Sequence, residues 1–205
     1  MSQDRSQASI DSSKRTWIIT SACAGAVGAG FAAVPFVSSF APSEKAKAAG
    51  APVEVDVSGL QPGDMLRAEW RGKPVWVLYR TPEMLASLKK TDSQVADPNS
   101  LRNPSEFTPM ESCRNEQRSI KPEYLVVVGI CTHLGCSPID KLKPGPQPSL
   151  PDDWQGGFLC PCHGSTFDLA GRVFKNKPAP DNLEVPEYTF LSDTKILIGV
   201  SEAPK

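Results

Sequence analysis

Two short runs near the middle of the chain constrain its fold most strongly. The run CTHLGC occupies residues 131–136 and the run CPCHGS occupies residues 160–165. Together they contain both histidines of the chain and four of its six cysteines. Each run offers one Cys and one His with a spacing typical of metal ligands, together with one additional Cys. We therefore expect a fold that brings the two runs together around one metal site.

Composition favours one β-rich domain with an appendage. A chain of 205 residues accommodates one domain of ordinary size and a short extra segment. The formal net charge of −1 gives no indication of nucleic-acid binding. The 20 prolines cluster in the second half of the chain, which favours strands and loops there. The predicted fold is mainly β, a small antiparallel β-sandwich with both loops at one end, preceded by one N-terminal transmembrane helix.

Alternation of apolar and polar residues, together with short apolar runs, predicts the strands. We expect strands at residues 53–57, 65–70, 74–79, 124–130, 157–159 and 195–200, with Phe190 in the partner of the last one. Thr81 is expected to cap a helix from Pro82 to about Lys90. Residues 92–119 are polar and irregular, and residues 143–151, with four prolines, are predicted to form a surface insertion.

The N-terminal segment has the composition of a membrane anchor. No residue from Thr16 to Ser43 is charged, and about 20 apolar residues span a hydrocarbon core of ~30 Å. We expect Pro35 to kink or end the helix. A cleaved secretory signal, usually shorter in its apolar region, and a buried core helix remain alternatives. The predicted parts are a cytoplasmic tail at 1–15, an anchor at 16–40, a flexible hinge at 41–52 and a metal-binding domain at 53–205, with loops at 131–138 and 160–168.

The charges that flank the anchor bear on its orientation. Lys14 and Arg15 favour a cytoplasmic N-terminus, whereas Lys45 and Lys47 on the other side weaken that prediction. The run SKRTWI at residues 13–18 also resembles a twin-arginine export signal, with a lysine in place of the first arginine. Such a route carries folded proteins, which suits a metal cluster assembled in the cytoplasm.

Two thiolates and two imidazoles suit either zinc or an iron–sulfur centre. Three features count against zinc. One Cys per run is left over, no helix follows the second run as a zinc finger would require, and Gly135, Gly164 and Ser165 place backbone and a hydroxyl where N–H groups could point at inorganic sulfur.

Both runs resemble the cluster-binding motifs of Rieske iron–sulfur proteins. The segments WRGKPV at 70–75 and PAPDNLEVP at 178–186 are similar to parts of the Rieske subunit of the bacterial cytochrome bc1 complex, as is the order of anchor, hinge and domain. The resemblance implies a [2Fe–2S] cluster with Cys131 and Cys160 on one iron and His133 and His163 on the other. Neutral imidazole ligands raise the potential to roughly −150 to +300 mV, against about −400 mV in plant-type ferredoxins.

The same resemblance implies roles for the neighbouring residues. Cys136 and Cys162 would form a disulfide, which indicates an oxidising compartment and hence a periplasmic domain on a bacterial inner membrane. Ser165 would hydrogen-bond a bridging sulfide. Phe167 stands where the family members of highest potential carry a tyrosine, so we expect a lower potential here.

The resemblance also implies a function and partners. His163 would accept a proton from ubiquinol, and Leu134 would pack at the quinol-facing tip. Pro178 and Pro180 would support the cluster loops. The partners would be cytochrome b and a c-type cytochrome in a dimeric membrane complex, and the domain would swing between them on its hinge.

Four other functions are known for Rieske domains or follow from the same motifs. A Rieske oxygenase needs further His ligands for a separate iron, and both histidines are already used. A soluble Rieske ferredoxin generally lacks the disulfide and the anchor. The small subunit of a molybdenum oxidase and a plain membrane-attached electron carrier stay as alternatives, and the roles of Cys23 and Cys113 stay open.

Overall fold

The computed structural model describes residues 12–43 and 50–201. The chain divides into two compact units, residues 1–47 and 48–205. The predicted tail and hinge lie partly outside the described residues. The first unit contains helix α1, Ser12–Ser38, which is exposed along its whole length. It measures about 40 Å at a rise of 1.5 Å per residue, and by length and composition it is the one described helix able to cross a membrane. The helix continues past Pro35, so this proline does not end it.

The second unit is built from short antiparallel strands around one apolar core. Within residues 50–201 the strands form three three-stranded sheets, in the orders β1-β9-β8, β2-β3-β4 and β5-β6-β7. The strands are β1 Val53–Asp56, β2 Met65–Trp70, β3 Lys73–Tyr79, β4 Tyr124–Val128, β5 Ile139–Lys141, β6 Gly157–Leu159, β7 Thr166–Phe167, β8 Tyr188–Ser192 and β9 Lys195–Ile198. The predicted mainly β, antiparallel fold is confirmed.

The β2–β3 hairpin forms as the sequence predicts. Met65 pairs with Leu78 and Trp70 pairs with Lys73, which leaves Arg71 and Gly72 as the two turn residues. Both have positive φ, 52° and 71°, as a type I′ hairpin turn requires. Strand β3 begins one residue earlier than expected because the tight turn brings Lys73 into the ladder.

Helix α2, Pro82–Thr91, also agrees with its sequence signals. The Thr81 hydroxyl accepts a hydrogen bond from the Met84 N–H at 3.3 Å, and Pro82 occupies the first turn, where its missing N–H costs nothing.

All three sheets contribute to one apolar core, which includes Val75 of β3, Phe158 of β6 and Ile198 of β9. The Trp76 and Phe158 rings stack across it with their centroids 5.2 Å apart, and every residue of β4 is buried. Gly129, directly after β4, lies so close to Trp76 that a Cβ there would sit 2.2 Å from the indole. The paired register of β4 ends with Val128 opposite Val75, two residues before the predicted end at Ile130, although the Gly129 N–H still donates to the Pro74 carbonyl at 2.8 Å.

Strands β5 and β7 were not predicted. They contain three and two residues, too few to show an apolar period. They form because both pair with β6, Ile139 opposite Leu159 and Phe158 opposite Phe167. The irregular segment 92–119 contains one 3-10 turn, Glu111–Cys113, and the insertion at 143–151 has mostly exposed residues.

Candidate metal centre

The two predicted loops, loop 1 at 131–138 and loop 2 at 160–168, contain the same backbone turn. In each, the first Cys N–H donates to the carbonyl of the last residue of the motif, and the motif Gly N–H donates to the carbonyl of the first Cys. The four bonds are Cys131 to Cys136 at 2.8 Å, Gly135 to Cys131 at 3.1 Å, Cys160 to Ser165 at 2.7 Å and Gly164 to Cys160 at 3.0 Å. Both glycines have positive φ, 78° and 73°, which favours Gly. The His is the third residue of the motif in loop 1 and the fourth in loop 2. The same backbone turn therefore carries its His at a different position in each loop.

The predicted thiol ligands are buried at the base of the loops. Cys131 and Cys160 are 1% and 2% exposed and neither belongs to a disulfide. Burial raises the pKa of the Cys131 thiol, opposed by hydrogen bonds to its sulfur from the His133 N–H and the Ser165 hydroxyl. A metal ion bound here would displace the proton, and hydrogen bonds to the sulfur would then stabilise the thiolate.

The predicted imidazole ligands lie together further out. The His133 and His163 ring centroids are 4.7 Å apart at an interplanar angle of 86°. His133 is half-buried, His163 is exposed, and Leu134 beside them is 71% exposed. A buried pair of thiols with a more exposed pair of imidazoles fits the donor set of a Rieske [2Fe–2S] cluster. The assignment of individual ligands stays a prediction.

A disulfide joins the two loops, as predicted. Cys136 and Cys162 are bonded, with their Cα atoms 6.7 Å apart. The Sγ atoms of these two residues and of Cys160 all lie within 4.8 Å of one another. These three cysteines are not a thiolate metal site, because two of them are oxidised. The disulfide instead lies directly beside a predicted ligand sulfur.

A third segment, residues 178–183, contacts both loops, and we call it the proline segment. The Ala179 N–H donates to the buried Ser165 hydroxyl at 3.0 Å. The Thr132 hydroxyl donates to the Asp181 carbonyl at 2.6 Å. The support expected from Pro178 and Pro180 is therefore delivered by backbone groups between and beside them. Neither Thr132 nor the Ala179 amide was identified from the sequence as part of the site. Thr132 had one signal, because it is a polar residue between the predicted ligands Cys131 and His133, and the Ala179 amide had none.

Phe167 lies in β7 with its ring fully buried. It pairs with Phe158 of β6 and forms an isolated bridge with Val173. The side chain thus lies in the core, at the end of loop 2.

A buried charge network, also missed from the sequence, stabilises the end of loop 2. Arg172 is fully buried and donates to Asp168 at 2.7 Å and to Asp92 at 2.7 Å. Burial acts against its charge, but the two carboxylates outweigh that effect and raise the pKa of Arg172. Arg80 and Arg118 are buried nearby, and burial lowers the pKa of each to about 10. Among the described residues they donate to carbonyl and hydroxyl oxygens, including the Leu169 and Ala170 carbonyls.

Two clefts flank the exposed end of the loops. One, of about 320 Å³, lies along His133 and Leu134 and includes the ion pair between Lys73 and Glu184. The other, of about 390 Å³, lies between loop 2 and the insertion and is lined in part by Ile139, Leu159 and Pro161. His133 thus lines one cleft and His163 is exposed, so both imidazoles can be reached from outside the domain.

Comparison with known proteins agrees with this geometry. Residues 102–189 match the family model described as the Rieske [2Fe-2S] domain. Over 186 residues the chain is 58% identical to the ubiquinol-cytochrome c reductase iron-sulfur subunit of Allochromatium vinosum, covering 91% of this chain and 87% of the relative. The chain belongs to the family of Rieske iron–sulfur subunits of ubiquinol–cytochrome c reductase.

Further relatives of this Rieske chain include the same subunit of Rhodospirillum rubrum, 41% identical over 92% of this chain and 93% of the relative. Residues 15–43 match the model described as the ubiquitinol-cytochrome C reductase Fe-S subunit TAT signal, in agreement with the twin-arginine-like pattern noted above. Among solved structures, a chain of a hyperthermophilic respiratory Complex III aligns with a TM-score of 0.45 and 27% identity over 87% of this chain and 97% of that chain.

Proposed function

We propose that this Rieske subunit transfers single electrons from ubiquinol to the c-type cytochrome of a bacterial cytochrome bc1 complex. The observation that carries the proposal is the arrangement at the loop ends. Two buried thiols lie at the base of the loops and two adjacent imidazoles lie further out, and a disulfide joins the two loops. The isolated chain is an electron carrier, and the oxidoreductase activity belongs to the whole complex.

The predicted ligands divide between the two irons by chemistry. Cys131 and Cys160 would bind one iron as thiolates, and His133 and His163 would bind the other as neutral imidazoles. A [2Fe–2S] cluster held in this way supplies a one-electron couple of comparatively high potential. The Ser165 hydroxyl would donate a hydrogen bond to a bridging sulfide of the cluster, which would favour the electron-rich, reduced state.

His163 and Leu134 would contact the quinol side. An imidazole that binds metal through one nitrogen leaves the other available, and the exposed His163 ring can accept a hydrogen bond and then a proton from a quinol hydroxyl there. Leu134, 71% exposed, would pack on the apolar surface of the cytochrome b subunit. Replacing Leu134 by Ala should slow quinol oxidation and leave the cluster's EPR signal in place, and equal turnover would remove this role.

The remaining parts of the proposal concern anchoring and assembly. Residues 1–15 would lie in the cytoplasm, residues 16–40 would cross the inner membrane, residues 41–52 would act as a hinge, and the domain from residue 53 would lie in the periplasm of a dimeric complex. The long apolar helix and the disulfide support this arrangement. Prolines inserted into the hinge should slow turnover while the cluster stays intact, and unaffected turnover would refute a moving domain.

The decisive experiment is purification of the protein from bacterial membranes. We expect b- and c-type haem proteins to copurify with a centre that gives a Rieske-type EPR signal. Copurification with a molybdenum subunit would instead identify the chain as the small Rieske subunit of a molybdenum oxidase. Recovery without any partner would make it a plain membrane-attached carrier.

A further inference from the structure

The proline segment is fastened on its outer side by a turn at residues 97–102, which we call the supporting turn. The Asn182 side-chain amide donates to the Asp97 carbonyl at 3.0 Å and to the Ser100 hydroxyl at 3.1 Å. The Arg102 guanidinium donates to the Pro180 carbonyl at 2.9 Å. Pro180 lies between the two residues that contact the loops, so this bond holds the segment at its centre.

The direction of Arg102 is set by Asp97. One carboxylate oxygen of Asp97 accepts from the Leu101 N–H and the other from the Arg102 N–H, both at 3.0 Å. Asp97 is only 8% exposed, and the Arg102 guanidinium makes a second bond, to the Ala96 carbonyl at 3.1 Å. An exposed arginine with two carbonyl partners and a fixed backbone loses much of the freedom that a surface side chain normally retains.

The Ser165 hydroxyl connects the proline segment to the metal centre. The Ala179 N–H donates to the Ser165 hydroxyl oxygen, so the hydroxyl proton points away from that amide. The Ser165 carbonyl accepts from the N–H of the predicted ligand Cys160 at 2.7 Å, which holds Ser165 beside the predicted cluster site. Hydrogen bonds to cluster and ligand sulfurs stabilise the reduced, more negative state and raise the reduction potential. Ser165 is completely buried, so water does not replace a lost partner.

We propose that Arg102 is a positioning residue for the cluster: by holding the Pro180 carbonyl, it fixes the Ala179 amide and thereby the orientation of the Ser165 hydroxyl. The inference rests on the proposed function, because it concerns the potential of the cluster that this function requires. It assigns a role to a turn in the irregular segment before β4, far from the motifs in sequence.

The test compares Arg102→Gln with Arg102→Lys in the full-length protein purified from membranes. Arg67→Gln is the matched control, since Arg67 is likewise an exposed arginine, here paired with the Asp140 carboxylate at 2.7 Å and, among the described residues, without a bond to the proline segment. Three quantities are measured: the midpoint potential by EPR-monitored titration, amide hydrogen exchange across residues 178–183, and the thermal unfolding midpoint.

For Arg102→Gln we expect faster exchange in the proline segment and about a threefold fall in the equilibrium constant for reduction. This is ~28 mV at 59 mV per tenfold for one electron. Arg102→Lys should recover part of the shift, and Arg67→Gln should leave the potential unchanged. Asp97→Asn, which weakens the turn from its other side, should shift the potential in the same direction by less.

Two results would overturn the inference. One is an unchanged potential in Arg102→Gln with a lowered unfolding midpoint, which would leave Arg102 a purely structural role. The other is an equal shift in Arg67→Gln, which would make the effect a general one of surface charge. A wild-type protein that gives no Rieske-type EPR signal would instead refute the proposed function. Failure of the proposed function can therefore be distinguished from failure of the inference about Arg102.

Discussion

Replacing Asp168 by Asn tests how the end of loop 2 is stabilised. The Asp168 carboxylate is 1% exposed. It accepts from the Ala170 and Arg172 N–H groups at 2.9 Å, from Arg172 Nε at 2.7 Å and from the Thr91 hydroxyl at 3.1 Å. The change leaves the fully buried Arg172 guanidinium with Asp92 as its remaining carboxylate, and the Asp92 side chain is 43% exposed.

The magnitude follows from burial and from the neighbouring charges. Removing one partner of a buried ion pair costs about 3–5 kcal/mol. The Asp168 carboxylate also attracts the buried Arg80 and Arg118 guanidiniums, so its loss leaves three buried cations with less compensation. We therefore expect a fall of about 4–5 kcal/mol in the free energy of unfolding, or ~8–20 °C in the unfolding midpoint at about 2–4 °C per kcal/mol.

The assay is denaturant and thermal unfolding of the full chain, followed by circular dichroism. Glu54→Gln is the control. Its pair with Lys195 is shorter, 2.5 Å, but both side chains are 48% exposed, and such pairs contribute only about 0.2–1 kcal/mol. The double variant Asp168→Asn with Arg172→Met should be more stable than the sum of the single losses predicts, because it removes the uncompensated cation. A loss below about 1 kcal/mol, or strictly additive losses, would refute the reasoning.

Three further predictions follow from buried positions. Phe167→Tyr should raise the midpoint potential by about 40 mV if the new hydroxyl contributes a net hydrogen bond of ~1 kcal/mol to the reduced state; an unchanged or lower midpoint would remove that account. Cys113 is 2% exposed and burial raises the pKa of its thiol, so iodoacetamide at pH 8 should label it only after denaturation, and rapid native labelling would contradict its burial. Gly129→Ala should lower the unfolding midpoint by the equivalent of about 1–3 kcal/mol, because the new Cβ meets Trp76. Gly59→Ala, where nothing lies within 4 Å, should change it little, and equal effects would show that the Trp76 contact is not the cause.

The parts of the fold that were predictable are those encoded locally. The hairpin of β2 and β3 shows apolar runs around a Gly turn, and α2 shows its cap at Thr81 and its Pro82. The short strands β5 and β7 carry no such local signal, because their pairing with β6 depends on residues brought together only in the folded domain. The apolar run of β4 continues to Ile130 in the sequence, so no local pattern records that the pairing ends at Val128.

The site divides in the same way. The two motifs and the family they resemble predicted the loops and the Cys136–Cys162 disulfide. The surrounding contacts were not predictable, because they join distant residues through backbone groups. The Ala179 amide has no side-chain signature, and Arg172 looks like an ordinary surface arginine in the sequence although it is fully buried.

The disulfide has a consequence for the insertion at residues 143–151. Cys136 and Cys162 are 26 residues apart, so their bond closes a covalent ring that contains the whole insertion. A protease that cuts the exposed insertion would leave both halves attached, and the nicked protein should migrate as one band without reductant and as two bands with it. For the same reason, the insertion is a favourable place for an affinity tag or a fluorophore, because the ring, together with the β5–β6 pairing, keeps the two loops in place whatever the length of the segment between them.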